Sequence, residues 1–445
     1  MPLRRLTARE YLVDLVGTTV AWPIYSRREW MDREALDRFA LRRTRDIAVH
    51  AARTVPLYRD LYRDAGVEPA DIRSWDDVRR LPLVDKDLIR DGYPERSLTE
   101  GADLAACLVS TSSGSTGRMM TIPHRADRLW PYLLSSQRML RWAAGGRYPF
   151  WWRQAYVYTS EYPLLRVPGL YPLTFIPTAG EPAAILARLE AVRPQLLHTY
   201  PTVLRDLLAV EPGRVAALGL KGVSVGSELS SQDERDGWEG ALGCPVRDEY
   251  STEELGRIAS QCPAGRHHLH EDIVKVEIVD ADGRPTDGIG EVVGTELHNR
   301  TMPFVRYRQG DLARISEERC DCGRHSRLLV DLVGRSNDGF VLGDGRRLAA
   351  GFLLDVAYRA LIAAGETGVL AYRFVQPDPT QATLEVVPGP GYGPAIEAQI
   401  LASIEGELAA SGLRLTVAPV PAIERLPGGK RSTIVRTFFK ASPGP

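Results

Sequence analysis

Residues 110–117 read S-T-S-S-G-S-T-G and run on as R-M-M-T-I through residue 122. Six hydroxyl side chains and two glycines in eight positions leave nothing to bury, so the segment reads as a loop whose backbone or hydroxyls carry chemistry. Glycine lets backbone N–H groups approach an anion closely, and Ser/Thr hydroxyls rotate to donate, which makes phosphate oxygens the natural ligand. A flexible Ser/Gly linker has the same composition. It is not a Walker A loop, because no Gly-Lys-Ser/Thr follows at the required spacing. Working outward, the apolar run A-C-L-V at 106–109 predicts a short strand feeding the loop, and T-I-P-H at 121–124 opens the next segment. Strand, glycine loop and following segment favour a nucleotide turn over a linker.

The rest of the composition limits what such a loop serves. At 445 residues the chain exceeds what one core usually supports, so a large domain with a smaller one is expected. Lys+Arg 56 against Asp+Glu 57 gives a net charge of -1, which offers no case for nucleic acid or an anionic membrane. No apolar run approaches a membrane span or a signal peptide, and 5 cysteines do not make a disulfide framework in so long a chain. A reducing cytoplasm is the expected location.

Helical spacing predicts one or two amphipathic helices over 28–65, with Asp85 as the N-cap of a short helix and another helix over 128–142. The aromatic run Y-P-F-W-W at 148–152 reads as core or as the lining of a pocket for a flat or apolar substrate. Between 182 and 228 the pattern is helix, strand, helix, strand, an α/β layering with a mostly parallel sheet. His198 ends one of these strands and reads as a structural histidine. Gly226, Ser227 and Glu228 close the next strand, and Tyr250, Ser251 and Glu254 follow another, where ligands of open α/β sheets sit. Glu254 reads as a Mg²⁺ ligand beside phosphate, or as an exposed residue opening a helix. A hairpin is expected over 274–297, and Asp311 after a glycine turn suits the two hydroxyls of a ribose, or merely the turn.

The segment G-R-S-N-D-G at 334–339 is the candidate boundary, dividing the chain into 1–335 and a small α/β unit at 336–445. The latter ends with Lys430 on a glycine-flanked segment, able to bring positive charge to a reacting phosphate or simply solvated. Cys262, His268, Cys320 and Cys322 form a set suited to tetrahedral Zn²⁺, with reduced cysteines as the alternative and His267, His270 or His325 as other fourth ligands.

Taken in order, these segments resemble the adenylate-forming ligase superfamily, and within it the phenylacetate-CoA ligase-like branch. V-P-L-Y-R at 55–59 and L-P-L-V-D-K at 81–86 look like N-terminal signatures of that branch. S-G-S-T-G at 113–117, Y-S-T-E-E-L-G at 250–256, Y-R-Q-G-D at 307–311, G-R-S-N-D at 334–338 and G-G-K at 428–430 resemble its phosphate loop, aromatic-to-glutamate motif, ribose motif, hinge and C-terminal lysine. The resemblance implies an α/β fold with a large N-terminal adenylate-forming domain of mixed sheets and helices, plus a small mobile α/β C-terminal domain. It also implies a reaction in two halves: a carboxylate attacks the α-phosphorus of ATP to give an acyl-adenylate and pyrophosphate, then the small domain rotates and a nucleophile, usually the thiol of CoA, takes the acyl group.

By the same resemblance Ser112, Ser113, Gly114, Ser115, Thr116 and Gly117 hold the β- and γ-phosphates, and Glu254 binds Mg²⁺. Tyr250, with Ser251 after it and Gly226, Ser227 and Glu228 opposite, frames adenine; Asp311 holds the ribose with Arg335 close by; Asp338 is the hinge and Lys430 stabilises the adenylation transition state. Similar Cys and His positions in part of the branch favour structural Zn²⁺. Two departures stand out: Arg118-Met119-Met120 replaces the usual Pro-Lys or Pro-Thr, and Glu253 replaces Thr, either adding a carboxylate to the cation or facing solvent. The expected function is ATP-dependent activation of an aryl or arylacetic acid with transfer to CoA. The rivals are transfer to an amine, another nitrogen nucleophile or a carrier-protein thiol, and a nucleotide-binding protein without catalysis. A homodimer is compatible with the branch.

Overall fold

The computed structural model describes residues 7–112, 120–149, 151–159, 172–335, 339–344, 347–348, 350–363, 369–424 and 433–438. It has the mixed α/β architecture expected, and residue contacts divide it into two compact units, 1–147 with 249–331 and 148–248 with 332–445.

The first unit opens on a helix that the apolar pattern did not announce, Ala8–Arg28, started by a capping box in which Thr7 Oγ1 accepts from Glu10 N and Glu10 Oε2 accepts from Thr7 N. The amphipathic stretch that follows is two helices, Arg33–Thr54 and Pro56–Asp64, split where Pro56 cannot donate to the preceding turn. Asp85 caps the helix Lys86–Asp91 as expected, its Oδ1 accepting from Leu88 N at 2.8 Å. The strand before the Ser/Gly loop is longer than its apolar residues suggest, Cys107–Ser112, so Ser110, Thr111 and Ser112 belong to a strand and not to a loop. It pairs antiparallel with Met120–Arg125, from Cys107 opposite Arg125 to Ser112 opposite Met120, and residues 113–119 connect the two. Residues 113–117, with Arg118, lie outside the described residues. The helix Trp130–Ala143 is buried along nearly its whole length.

The sheet of this unit contains the predicted hairpin, Val274–Val279 with Gly290–Glu296, then Tyr307–Ser316, Leu328–Arg335, His267–Leu269 and Gly256–Gln261 in that spatial order. Gly256–Gln261 pairs antiparallel with Val246–Thr252.

In the second unit, Gly222–Gly226, Leu196–Thr199, Gln154–Tyr158 and Leu173–Pro177 lie side by side and all parallel. Helices Pro182–Val192, Pro201–Val210 and Gln232–Leu242 connect or flank them, the layering read from the sequence. Their apolar faces close one core in which Val157, Leu189, Leu197, Leu204 and Val223 are wholly buried. Residues after 338 build a four-stranded sheet, Arg414–Pro419, Gln381–Pro388, Val369–Asp378 and Ile434–Arg436 in spatial order, packed with helices Ala350–Ala363 and Pro394–Leu408 on a core of their own. Arg205, ion-paired with Glu234, lies over both Trp238 and Tyr372 and so joins the two parts of this unit.

Candidate active site and metal centre

Tyr250 stands near the end of the strand Val246–Thr252, and its hydroxyl donates to Asp311 Oδ2 at 2.6 Å, with both residues buried. Asp311 does not follow a turn. It lies inside the ten-residue strand Tyr307–Ser316, whose register against Gly290–Glu296 shifts between Glu291 and Val293. Gly310 sits at that irregularity with φ +80°, a left-handed conformation that suits glycine, and its N–H donates to Glu291 Oε1. The bulge turns the next side chain toward Tyr250.

Glu254 does not open a helix either. Residues 253–255 are the turn of a hairpin between Val246–Thr252 and Gly256–Gln261, held by Leu255 N donating to Thr252 Oγ1 and by Gly256 at φ +69°. The turn separates the two adjacent acids: Glu253 is exposed to solvent, and Glu254 is buried. Glu254 Oε1 accepts from Tyr307 OH at 3.3 Å and faces Lys86 Nζ at 3.8 Å. Neither neighbour stood among the candidate site residues, although both sit inside the quoted motifs L-P-L-V-D-K and Y-R-Q-G-D. What brings them together is a backbone contact: Val84 N donates to Arg306 O and Val84 O accepts from Arg308 N, which lays residue 84 beside Tyr307.

In the second unit the strand Gly222–Gly226 ends in a turn where Ser227 holds φ +65°, an uncommon conformation for a residue with a side chain. Glu228 Oε2 accepts from Thr202 N at 3.0 Å and from Thr202 Oγ1 at 2.5 Å, capping the helix Pro201–Val210. Its Oε1 is buried and has no hydrogen-bond partner among the described residues. One face of the parallel strands is aromatic: Tyr156 is in register with Phe175 on one side and His198 on the other, and Tyr158 and Tyr200 continue that face. Tyr156 and Tyr158 stack at 4.1 Å, and Tyr158 tilts onto Tyr200 at 4.3 Å between centroids. The Y-P-F-W-W run contributes less than expected, since Trp151 is 59% exposed and Tyr148 is engaged by Gln154 Nε2. The alternating tyrosines of Q-A-Y-V-Y and H-T-Y were the better signal.

Lys430, Asp338 and residues 113–117 lie outside the described residues, and Arg335 is described only as the last residue of the strand Leu328–Arg335. Ser112 is placed at the end of Cys107–Ser112, and Ser251 within Val246–Thr252.

Away from these groups, Cys262, His268, Cys320 and Cys322 offer four ligand atoms within 4.8 Å of one another. Cys262 Sγ is 3.7 Å from Cys320 Sγ, and Cys322 Sγ is 3.3 Å from His268 Nε2. Zinc bonded to sulfur at about 2.3 Å and nitrogen at about 2.0 Å sets tetrahedral edges of about 3.8 Å and about 3.5 Å, so the spacing fits. His268 Nδ1 is 3.0 Å from the Ser326 carbonyl, which assigns the proton to Nδ1 and leaves Nε2 free to ligate. Burial holds the imidazole down to about 4, hence neutral, as a ligand must be, and pushes the Cys320 thiol up to about 12. His270 is otherwise engaged, stacked on Trp142 and bonded to Arg138 and Ser260. The residues therefore fit a structural zinc with His268 as the nitrogen ligand.

No family model matches the chain. It is 27% identical over 330 residues to a phenylacetate-coenzyme A ligase of Thermus thermophilus, covering 71% of this chain and 73% of the relative. A second phenylacetate-coenzyme A ligase, from Escherichia coli, is 28% identical over 312 residues, 66% of this chain and 69% of the relative. Among solved structures, 2-hydroxyisobutyryl-CoA ligase in the postadenylation state with an acyl-AMP superposes with a TM-score of 0.75 at 20% identity, covering 93% of this chain and 92% of that one. The chain is similar in sequence to phenylacetate-coenzyme A ligases and shares the fold of 2-hydroxyisobutyryl-CoA ligase. An anthranilate CoA ligase bound to anthranoyl-AMP shares the fold more distantly, with a TM-score of 0.55 at 16% identity over 75% of this chain and 67% of that one. Among the described residues no helix is long and apolar enough to cross a membrane.

Proposed function

We propose that this ligase activates an aryl or arylacetic acid with ATP and passes the acyl group to CoA. The observation that carries the reading is the buried pair of Tyr250 and Asp311, with the Glu254 carboxylate held one hairpin turn further on. The Asp311 carboxylate would receive the ribose hydroxyls, and Tyr250 would offer a ring face to adenine. Mg²⁺ held by Glu254 would neutralise charge on the triphosphate, and Lys86 at 3.8 Å from the same oxygen would yield to it. Ser112, Ser113, Gly114, Ser115, Thr116 and Gly117 would hold the departing phosphates, with Gly226, Ser227 and Glu228 beside the base and Arg335 near the ribose.

A carboxylate oxygen of the acid attacks the α-phosphorus, the bond from that phosphorus to the bridging oxygen breaks, and pyrophosphate leaves. Lys430 stabilises the charge that develops. In the second half the CoA sulfur attacks the acyl carbonyl, its proton passes to solvent, and the carbonyl-to-phosphate oxygen bond breaks to release AMP. Residues 336–445 would turn about Asp338 between the halves, withdrawing Lys430. The aromatic face of Phe175, Tyr156, Tyr158, His198 and Tyr200 supports a flat acid. Cys262, His268, Cys320 and Cys322 hold a structural Zn²⁺ remote from the chemistry.

The test is exchange of labelled pyrophosphate into ATP across a panel of aliphatic, aryl and arylacetic acids, followed by mass identification of the product with CoA. Exchange with aryl acids and formation of the acyl-CoA is expected. Exchange with aliphatic acids alone would overturn the aryl assignment, and exchange without a thioester would overturn CoA as acceptor.

A further inference from the structure

The first unit also holds a cavity of about 370 Å³ that none of the adenylation roles uses. Arg125, Arg128, Arg300, Ala102 and Tyr132 are among its lining residues. It lies at the far end of the hairpin Cys107–Ser112/Met120–Arg125, since Arg125 pairs with Cys107 while Met120 pairs with Ser112 next to the Ser/Gly loop. Five steps of antiparallel strand put Arg125 about 17 Å from Met120.

All three arginines are exposed and Tyr132 is buried, so the lining combines solvent-accessible guanidinium groups with a buried aromatic ring. Arg125 shares its charge with Asp127, at 2.7 Å, but Arg128 and Arg300 have no ion-pair partner among the described residues. Asp103 is the acidic residue of the lining, and its Oδ1 accepts from Ala105 N. Arg300 is held in place through its backbone. Its carbonyl accepts from Thr99 Oγ1 at 2.6 Å and His50 Nε2 at 2.8 Å, and on either side of it Asn299 Oδ1 accepts from Thr301 N and Met302 N. A turn so heavily bonded fixes the backbone that carries Arg300, whose guanidinium lines the cavity and has no ion-pair partner among the described residues, which suits recognition of an anion. The volume falls at the small end of ligand pockets, and the Tyr132 ring with Ala102 adds apolar surface to the lining.

We infer that this cavity binds a small phosphate-bearing molecule with a compact apolar body, at a site separate from that of ATP. Two guanidinium groups without a carboxylate partner among the described residues match the two negative charges of a phosphate monoester, where a carboxylate would leave one of them idle. The inference stands independently of which acid the ligase activates.

Calorimetric titration of phenyl phosphate, inorganic phosphate and benzoate into the full chain saturated with ATP and Mg²⁺ tests it, with the Arg128→Gln/Arg300→Gln protein alongside. Phenyl phosphate is expected to bind more tightly than either other probe, and to lose about tenfold or more in affinity in the double variant. Because both arginines are exposed, the variant should fold, and Ala102→Trp, which fills the cavity without altering charge, should abolish binding as well. No binding to the wild-type chain, equal binding to both variants, or benzoate binding as tightly as phenyl phosphate would overturn the inference.

Discussion

Tyr250 and Asp311 shape each other's chemistry. A buried carboxylate that accepts a 2.6 Å hydrogen bond on one oxygen keeps the other in a fixed direction, and a bond to a charged acceptor contributes about 1.5–3 kcal/mol. Tyr250→Phe keeps the ring and removes this donor to Asp311, the carboxylate proposed to hold the ribose. The KM for ATP should rise about tenfold or more with kcat little changed, measured by varying ATP at saturating acid; an unaltered KM would remove Asp311 from the ribose. Lys86 makes the opposite prediction about Glu254. Its ammonium competes for the oxygen assigned to Mg²⁺, so Lys86→Met should lower the Mg²⁺ concentration that gives half-maximal pyrophosphate exchange, and a rise would show that Lys86 assists the cation or the phosphates instead.

At the scale of an element, the strand Gly290–Glu296 ends in a turn organised by a wholly buried acid. Glu296 Oε2 accepts from His298 N and Asn299 N, while Tyr132 OH donates to Oε1, yet burial outweighs these bonds and raises the carboxyl to about 7. Below about 4.5 the group is neutral in the folded and unfolded chain alike. Between that value and about 7 only the unfolded chain ionises, so stability falls as pH rises, and above about 7 the loss is complete. Glu296→Gln keeps an oxygen for the two N–H groups and gives an amide to Tyr132, so the drop in urea midpoint from pH 5 to pH 8 should be smaller in the variant. The difference should reach on the order of 3 kcal/mol. Equal slopes would mean that the turn is not held by a neutral acid. Such turns explain what the sequence could and could not disclose. Period and punctuation were enough for the parallel strands and helices of 182–226, for the 274–296 hairpin and for the Asp85 cap, because each is decided by residues near one another. The extension of the first strand through Ser110 to Ser112 was hidden because its register partners, Met120 to Ile122, lie beyond the loop. The bulge at Gly310 and the hairpin turn at Glu254 were hidden for the same reason: a glycine or an acid looks alike in a turn, a bulge or a helix start until the opposing strand is known. The contact between Val84 and Tyr307 that helps bring Lys86 and Tyr307 to Glu254 joins residues 223 apart in sequence, a pairing that no local pattern encodes.

At the scale of the molecule, the cysteine and histidine set gathers residues from neighbouring strands of the first unit's sheet and the loops that follow them. Cys262 follows the strand Gly256–Gln261, His268 lies in His267–Leu269, and Cys320 and Cys322 come from the loop after Tyr307–Ser316, Cys320 being 58 residues beyond Cys262. Trp142 and Leu328 pack beside these sulfurs, and Arg324 lies 4.4 Å over the Trp142 ring, so the group sits under the helix Trp130–Ala143 and within the sheet's own core. One ion bonded to all four would close loops that the hydrophobic core closes only weakly, and its binding free energy would add to folding. The purified chain should therefore carry one zinc per molecule by elemental analysis. Cys322→Ser, which removes a thiolate with almost no change in volume, should lose most of the metal and lower the melting temperature by about 5 °C or more, while pyrophosphate exchange below the new transition persists, because none of the four ligands belongs to the adenylation groups. A strong chelator should reproduce the loss of stability in the wild-type chain and have no further effect on the variant. A metal-free preparation that melts at the same temperature as the zinc-loaded one would leave these residues as reduced cysteines packed against a tryptophan.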